Sequence, residues 1–177
     1  MPNPRAFAPA LLLACAVLAQ ACQPDDADEV AEVTAAPKFP GVAEELWPYF
    51  AAYEEAAAER GVSVDLRALG VVGRLRGIVD DGVAGECTYN PAEPNVMTID
   101  AETFDLVSER FREYIVFHEL GHCERLRRHR EDAGADGVCL SIMASGTGGC
   151  RDSYTSATRE GLLDELFDGS FYGEWPE

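Results

Sequence analysis

The chain has 177 residues and carries 14 Lys plus Arg against 32 Asp plus Glu, a formal charge of −18. A surface this acidic repels nucleic acid and anionic lipid, so neither is expected as a partner. No stretch approaches the roughly 20 apolar residues of a transmembrane helix, and the length suits one ordinary domain rather than two.

Residues 1–21 hold one basic residue, Arg5, then an apolar run from Ala6 to Ala19 and small residues before Cys22, the pattern of a secretion signal. The segment Leu18-Ala19-Gln20-Ala21-Cys22 resembles the lipobox of bacterial lipoproteins, which implies a lipid on Cys22. Leu12-Leu13-Ala14-Cys15 also fits that pattern, but cleavage there would leave apolar residues 16–19 exposed on the mature chain. The expectation is a protein in the bacterial cell envelope, at the outer membrane facing the periplasm or the surface, that meets the membrane only through this anchor. Loss of residues 1–21 removes Arg5 and no acid, so the mature chain is one unit more negative than −18. That charge serves solubility, or attraction of cationic peptides. Residues 22–40 are Asp, Glu, Ala, Pro and Thr with almost nothing to bury, a disordered acidic tether, and residues 41–177 form the expected folded domain.

Within that domain Leu46, Phe50, Tyr53 and Ala57 recur at helical spacing, with Pro48 in the first turn and a stop at Arg60-Gly61. From Val62 to Asp100 the texture changes to Val, Ile, Thr and Tyr broken by Gly, Pro and Asn. This predicts three or four short strands, including Val71-Val72, Cys87-Thr88-Tyr89 and Val96-Met97-Thr98-Ile99, with a loop from Asn90 to Asn95. Ser108 is an N-cap for a central helix reaching about Leu126, which places Phe111, Ile115, His118 and His122 on one face. Loops around Gly134 to Gly149 lead to a last amphipathic helix at Thr158 to Phe167.

The central helix contains HExxH as His118-Glu119-Leu120-Gly121-His122. Two histidines four apart project from one helical face and can share a Zn²⁺ at roughly 2.0–2.1 Å. Glu119, one residue round from His118, can meet a metal-activated water without ligating the metal, which suits a general base. The chain has three histidines, all between positions 118 and 129, and His129 is the candidate third ligand. The competing reading of His129 is an exposed member of the basic stretch Arg125 to Arg130. A rival third ligand is Glu160, which with Asp164 forms an ExxxD pattern on the last helix.

The stretch HELGHCERLRRH from His118 to His129 resembles the signature of zincin metallopeptidases of the metzincin type, and Ser141-Ile142-Met143 resembles the Met-turn that follows it. The likeness extends to zinc metallopeptidase lipoproteins of bacteria that share this longer histidine spacing. It covers roughly Cys87 to Met143. It implies an α+β, zincin-like fold, with a small twisted sheet, an active-site helix and a backing helix, and hydrolysis of a peptide or protein substrate bound along a sheet edge. One zinc ion, Glu119 as general base and Met143 in the turn follow from the same likeness. The glycine that lets metzincins leave the helix is replaced by Arg125, and the third histidine comes one residue late, so that turn must be built differently.

Of six cysteines, four lie beyond Cys15 and Cys22, an even number that favours two disulfides in an exported chain. Four cysteines allow three pairings, which the sequence alone does not settle; the favoured one joins Cys87 with Cys123, tying a strand to the central helix, and Cys139 with Cys150, clamping the loop that holds Met143. A monomer is expected. The alternative to an enzyme is a non-catalytic zinc-binding lipoprotein with a structural or binding role, against which Glu119 argues because a structural site has no use for that carboxylate.

Overall fold

The computed structural model describes residues 38–80, 82–90, 93–145 and 150–171. The expected signal peptide, Cys22 and nearly all of the tether lie outside them.

Helix α1 (Trp47–Glu59) follows a 3-10 turn at Glu44–Leu46 and carries Pro48 in its first turn, where a missing N–H goes unused. It stops at Gly61, which takes φ +72°; the N–H groups of Gly61 and Val62 donate to the carbonyls of Ala58 and Ala57 at 3.0 and 2.9 Å, a Schellman arrangement. Leu46, Phe50, Tyr53 and Ala57 are all buried, as their spacing requires.

Three strands follow: β1 (Val72–Arg76), β2 (Gly85–Asn90) and β3 (Glu93–Asp100). Their order is β1-β3-β2, with β3 parallel to β1 and antiparallel to β2. Val96, Met97, Thr98 and Ile99 are buried in succession, so the central strand is covered on both faces. The loop expected over Asn90 to Asn95 is shorter than its composition suggests. Asn90 pairs with Glu93, and Pro91 and Ala92 fall outside the described residues. Pro94 is tolerated because it lies beside the register shift between Thr88 and Asn90 and ahead of Val96, where β1 first pairs, so it interrupts no regular ladder.

A short helix that the sequence reading does not mark, α2 (Ala101–Leu106), is capped by Asp100, whose carboxylate accepts from the Thr103 N–H at 2.8 Å. Helix α3 (Glu109–Cys123) starts at the expected cap, with Ser108 Oγ accepting from the Phe111 N–H, and ends at Cys123 rather than Leu126. After α4 (Cys150–Ser153), helix α5 (Arg159–Leu166) buries Leu162, Leu163 and Leu166, and a 3-10 turn at Gly169–Phe171 follows.

These elements share one core. At Gly73 of β1 a Cβ would stand 2.9 Å from Val42 and 3.1 Å from Phe50, so only glycine lets α1 approach the sheet this closely. Tyr53 of α1 meets Phe117 of α3 edge-on at 5.2 Å and Phe167, just past α5, at 4.9 Å. The result is a small α+β fold with a three-stranded mixed sheet, in which every residue of α3 from Tyr114 to Cys123 is buried.

Candidate metal centre

His118 and His122 are one turn apart on the buried half of α3. His118 Nδ1 lies 2.8 Å from the Ile142 carbonyl, and His122 Nδ1 lies 2.6 Å from the Arg127 carbonyl. A carbonyl oxygen only accepts, so each Nδ1 carries the proton and each Nε2 presents a lone pair. His129 reaches the same point from beyond the helix. The three Nε2 atoms form a triangle with sides of 3.2, 3.2 and 3.1 Å.

A tetrahedral metal held at roughly 2.0–2.1 Å would set its nitrogens roughly 3.3–3.4 Å apart, close to this triangle. The donor chemistry agrees, because the lone pairs of His118 and His122 face each other and neither can donate. One proton on His129 could serve only one of them at a time, whereas a cation serves all three. Burial, first, and the neighbouring imidazole push His118 down to about 3. His122 is held down at about 4, again chiefly by burial. Both are therefore neutral, the state that ligates metal. The three residues could hold one metal ion.

The chain reaches the third histidine without the glycine of the resembled signature. Leu126 adopts φ +55°, and the Arg127 N–H returns to the Gly121 carbonyl at 3.0 Å. The basic stretch is solvated only in part: Arg125 and Arg127 are buried, whereas Arg128 and His129 are exposed, so His129 closes the cluster from its solvent side. The Arg130 N–H donates to the Met143 carbonyl at 2.9 Å, which joins this segment to Ser141-Ile142-Met143. Met143 is itself buried against Gly121, where its Sδ occupies the place a Cβ would take.

Glu119 is 5% exposed and abuts Gly85 of the edge strand β2, where a Cβ would stand 2.8 Å from Cγ and 2.9 Å from Oε1 of the glutamate. Burial, then the nearby Glu86, push its carboxyl up to about 8. A cation held by the imidazoles would act in the opposite sense. Glu119 and the three histidines line one cleft of about 320 Å³, with Val83, Gly85, Tyr114 and Ile115 forming apolar walls. A second cleft of about 370 Å³, between Ser108, Phe111, Asp152 and Tyr154, contains none of the histidines.

Cys87 lies within disulfide distance of Cys123, and Cys139 of Cys150, with Cα separations of 5.6 and 5.2 Å. These are the expected pairs. Glu160 and Asp164 face solvent and pair with Arg60 at 2.8 and 2.9 Å, and Glu160 also pairs with Arg159 at 2.6 Å, so the rival third ligand is not brought to the cluster. The sequence reading does not single out Gly85, Arg127 or Glu165. An isolated glycine in a strand pattern hints at close backbone approach, which was the one available signal for Gly85. Comparison with family models, curated proteins and solved structures finds no match to this chain.

Proposed function

We propose that this chain is a zinc-dependent peptidase of the zincin type, in which His118, His122 and His129 hold one zinc ion and Glu119 is the general base. The observation that carries this reading is the meeting of three converging imidazole nitrogens and a buried carboxyl in a single cleft. A structural zinc site closes with four protein ligands, whereas three leave one position for water or substrate. The HELGHCERLRRH resemblance supports the same reading.

Zinc bound here supplies Lewis acidity toward a water and toward a carbonyl oxygen. His118 and His122 orient through their Nδ1 protons, which the Ile142 and Arg127 carbonyls accept. Glu119 removes a proton from the attacking water and returns it to the leaving amine nitrogen as the C–N bond breaks. The apolar walls keep bulk water from competing for that carboxyl. Among the described residues strand β2 pairs with β3 along one side only and borders the cleft, so its other side can receive an extended peptide backbone. The proposed setting is an exported, monomeric protein anchored by a lipid on Cys22. No helix among the described residues is long and apolar enough to cross a membrane.

Metal analysis and a peptide-library digest of wild type and Glu119→Gln test the reading. We expect one zinc per chain in both, and cleavage by wild type that falls at least ~10²–10⁴-fold in the variant. Undiminished cleavage by Glu119→Gln would remove the glutamate from the chemistry. Zinc at full stoichiometry with no wild-type cleavage would move the protein to the non-catalytic class.

A further inference from the structure

Glu165, near the end of α5, lies outside the HExxH helix and belongs to no motif in the sequence, yet both histidine anchors lead back to it. Arg127, whose carbonyl accepts from His122, sends a fully buried guanidinium to α5. There Nη1 donates to the carbonyls of Glu165 and Leu166 at 2.9 and 3.3 Å, and Nη2 pairs with the Glu165 carboxylate. The other carboxylate oxygen accepts from Ser141 Oγ at 2.9 Å. Ser141 Oγ in turn accepts from the Met143 N–H at 3.0 Å, which shapes the turn whose Ile142 carbonyl accepts from His118. Arg130, next to His129, stands 3.7 Å from the same carboxylate. Phe171 lies across both guanidinium groups at 4.9 and 4.0 Å.

We propose that Glu165 is a positioning residue of the metal centre: its carboxylate joins the two loops carrying the carbonyl anchors of His118 and His122, and so sets how tightly and in what geometry the three imidazoles bind metal. This rests on the metal-site reading above. A salt bridge that only stabilised the fold would need one arginine partner. Here the two oxygens are divided between the segment at 127–130 and the segment at 141–143, the two segments that orient the ligands. Outer partners of metal ligands act through such orientation, and their loss weakens metal binding about 10–100-fold.

The test is a zinc titration against a chromophoric chelator together with the visible spectrum of the Co²⁺-loaded protein, with circular dichroism to verify folding. It uses wild type, Glu165→Gln and Ser141→Ala. Glu165→Gln strips Arg127 of its counter-charge and endangers the fold, whereas Ser141→Ala cuts one arm and leaves the Arg127 pair intact. We expect zinc affinity about 10–100-fold lower in folded Glu165→Gln, a smaller fall in Ser141→Ala, and displaced Co²⁺ bands in both. Wild-type affinity and bands in folded Glu165→Gln overturn the proposal; should that variant not fold, the same result in Ser141→Ala overturns it. Wild type that takes up neither metal brings down the metal-site reading itself, and this inference with it.

Discussion

Glu119 stands so close to Gly85 that even a methyl group there would lie 2.8 Å from its Cγ. Gly85 is held by its pairing with Ile99 across the sheet, so the Glu119 side chain, which borders the cleft, is the partner that must give way. Gly85→Ala should therefore turn the carboxyl out of line while leaving the three imidazoles alone. A misplacement of about 1 Å costs on the order of 10²-fold in rate, so we expect kcat/KM to fall by about that factor with zinc affinity unchanged. Steady-state kinetics beside a zinc titration check this; wild-type kinetics would show that the carboxyl has room to move. Leu126 illustrates a second close constraint. The left-handed region costs a side-chain-bearing residue roughly 1–2 kcal/mol, which the surrounding structure bears in order to bring His129 back over the helix.

At the scale of elements, two cysteine pairs hold the parts of the site that secondary structure alone leaves loose. Cys87–Cys123 fastens the edge strand to the residue after His122, closing a separation of 36 residues, and Cys139–Cys150 closes one of 11. Chain entropy assigns these loops about 4 and about 3 kcal/mol respectively. Replacing Cys87 and Cys123 by Ser should lower both stability and activity, since β2 carries Gly85. Replacing Cys139 and Cys150 should lower stability by the smaller amount. Denaturant melts and kinetics of the two double variants measure this, and equal activity losses would deny β2 its special role. Helices α1, α3 and α5 were legible because each carries an apolar face at helical spacing, with a glycine stop after α1 and a serine cap before α3 as further marks. The β2–β3 hairpin was legible only in part. Its Asn and Pro residues have loop propensity, and the pairing of Asn90 with Glu93 that overrides it is a contact between strands.

For the whole molecule, the buried titratable groups set opposing demands on pH. His118 and His122 have folded values near 3 and 4, below the ordinary 6.5, so the native state refuses protons that the unfolded chain accepts. Their contribution is present above pH 6.5 and is lost as pH falls toward those values. Glu119, raised from 4.5 to about 8, works in reverse: its contribution is full below pH 4.5 and is lost as pH rises through 8. Between pH 4.5 and 6.5 two histidines oppose one glutamate, and above 6.5 the glutamate acts alone. These three groups therefore place the stability maximum of the metal-free protein near pH 6.5. Denaturant melts across pH in the presence of a chelator should show this maximum, and Glu119→Gln should flatten the decline on its alkaline side. A decline that persists in the variant would assign it to other groups.

By itself the sequence determined a mix of helices and short strands, the position of the central helix, the placing of two histidines four residues apart on one helical face and a cysteine count that favours two disulfides, because these follow from period, caps, spacing and parity; the cysteine pairing stayed open among three. For the third member of the cluster its spacing favoured His129 and left Glu160 as a rival. Only the tertiary structure decided it: Leu126 folds the chain back so that His129 Nε2 comes within 3.1–3.2 Å of both partners, while Glu160 is taken up by Arg60 and Arg159. Along the chain the Gly85–Glu119 approach was marked only by an isolated glycine in a strand pattern, and the Glu165 bridge by nothing. Both join segments distant in sequence, and such contacts exist only once the core has brought α3, the sheet edge and α5 together.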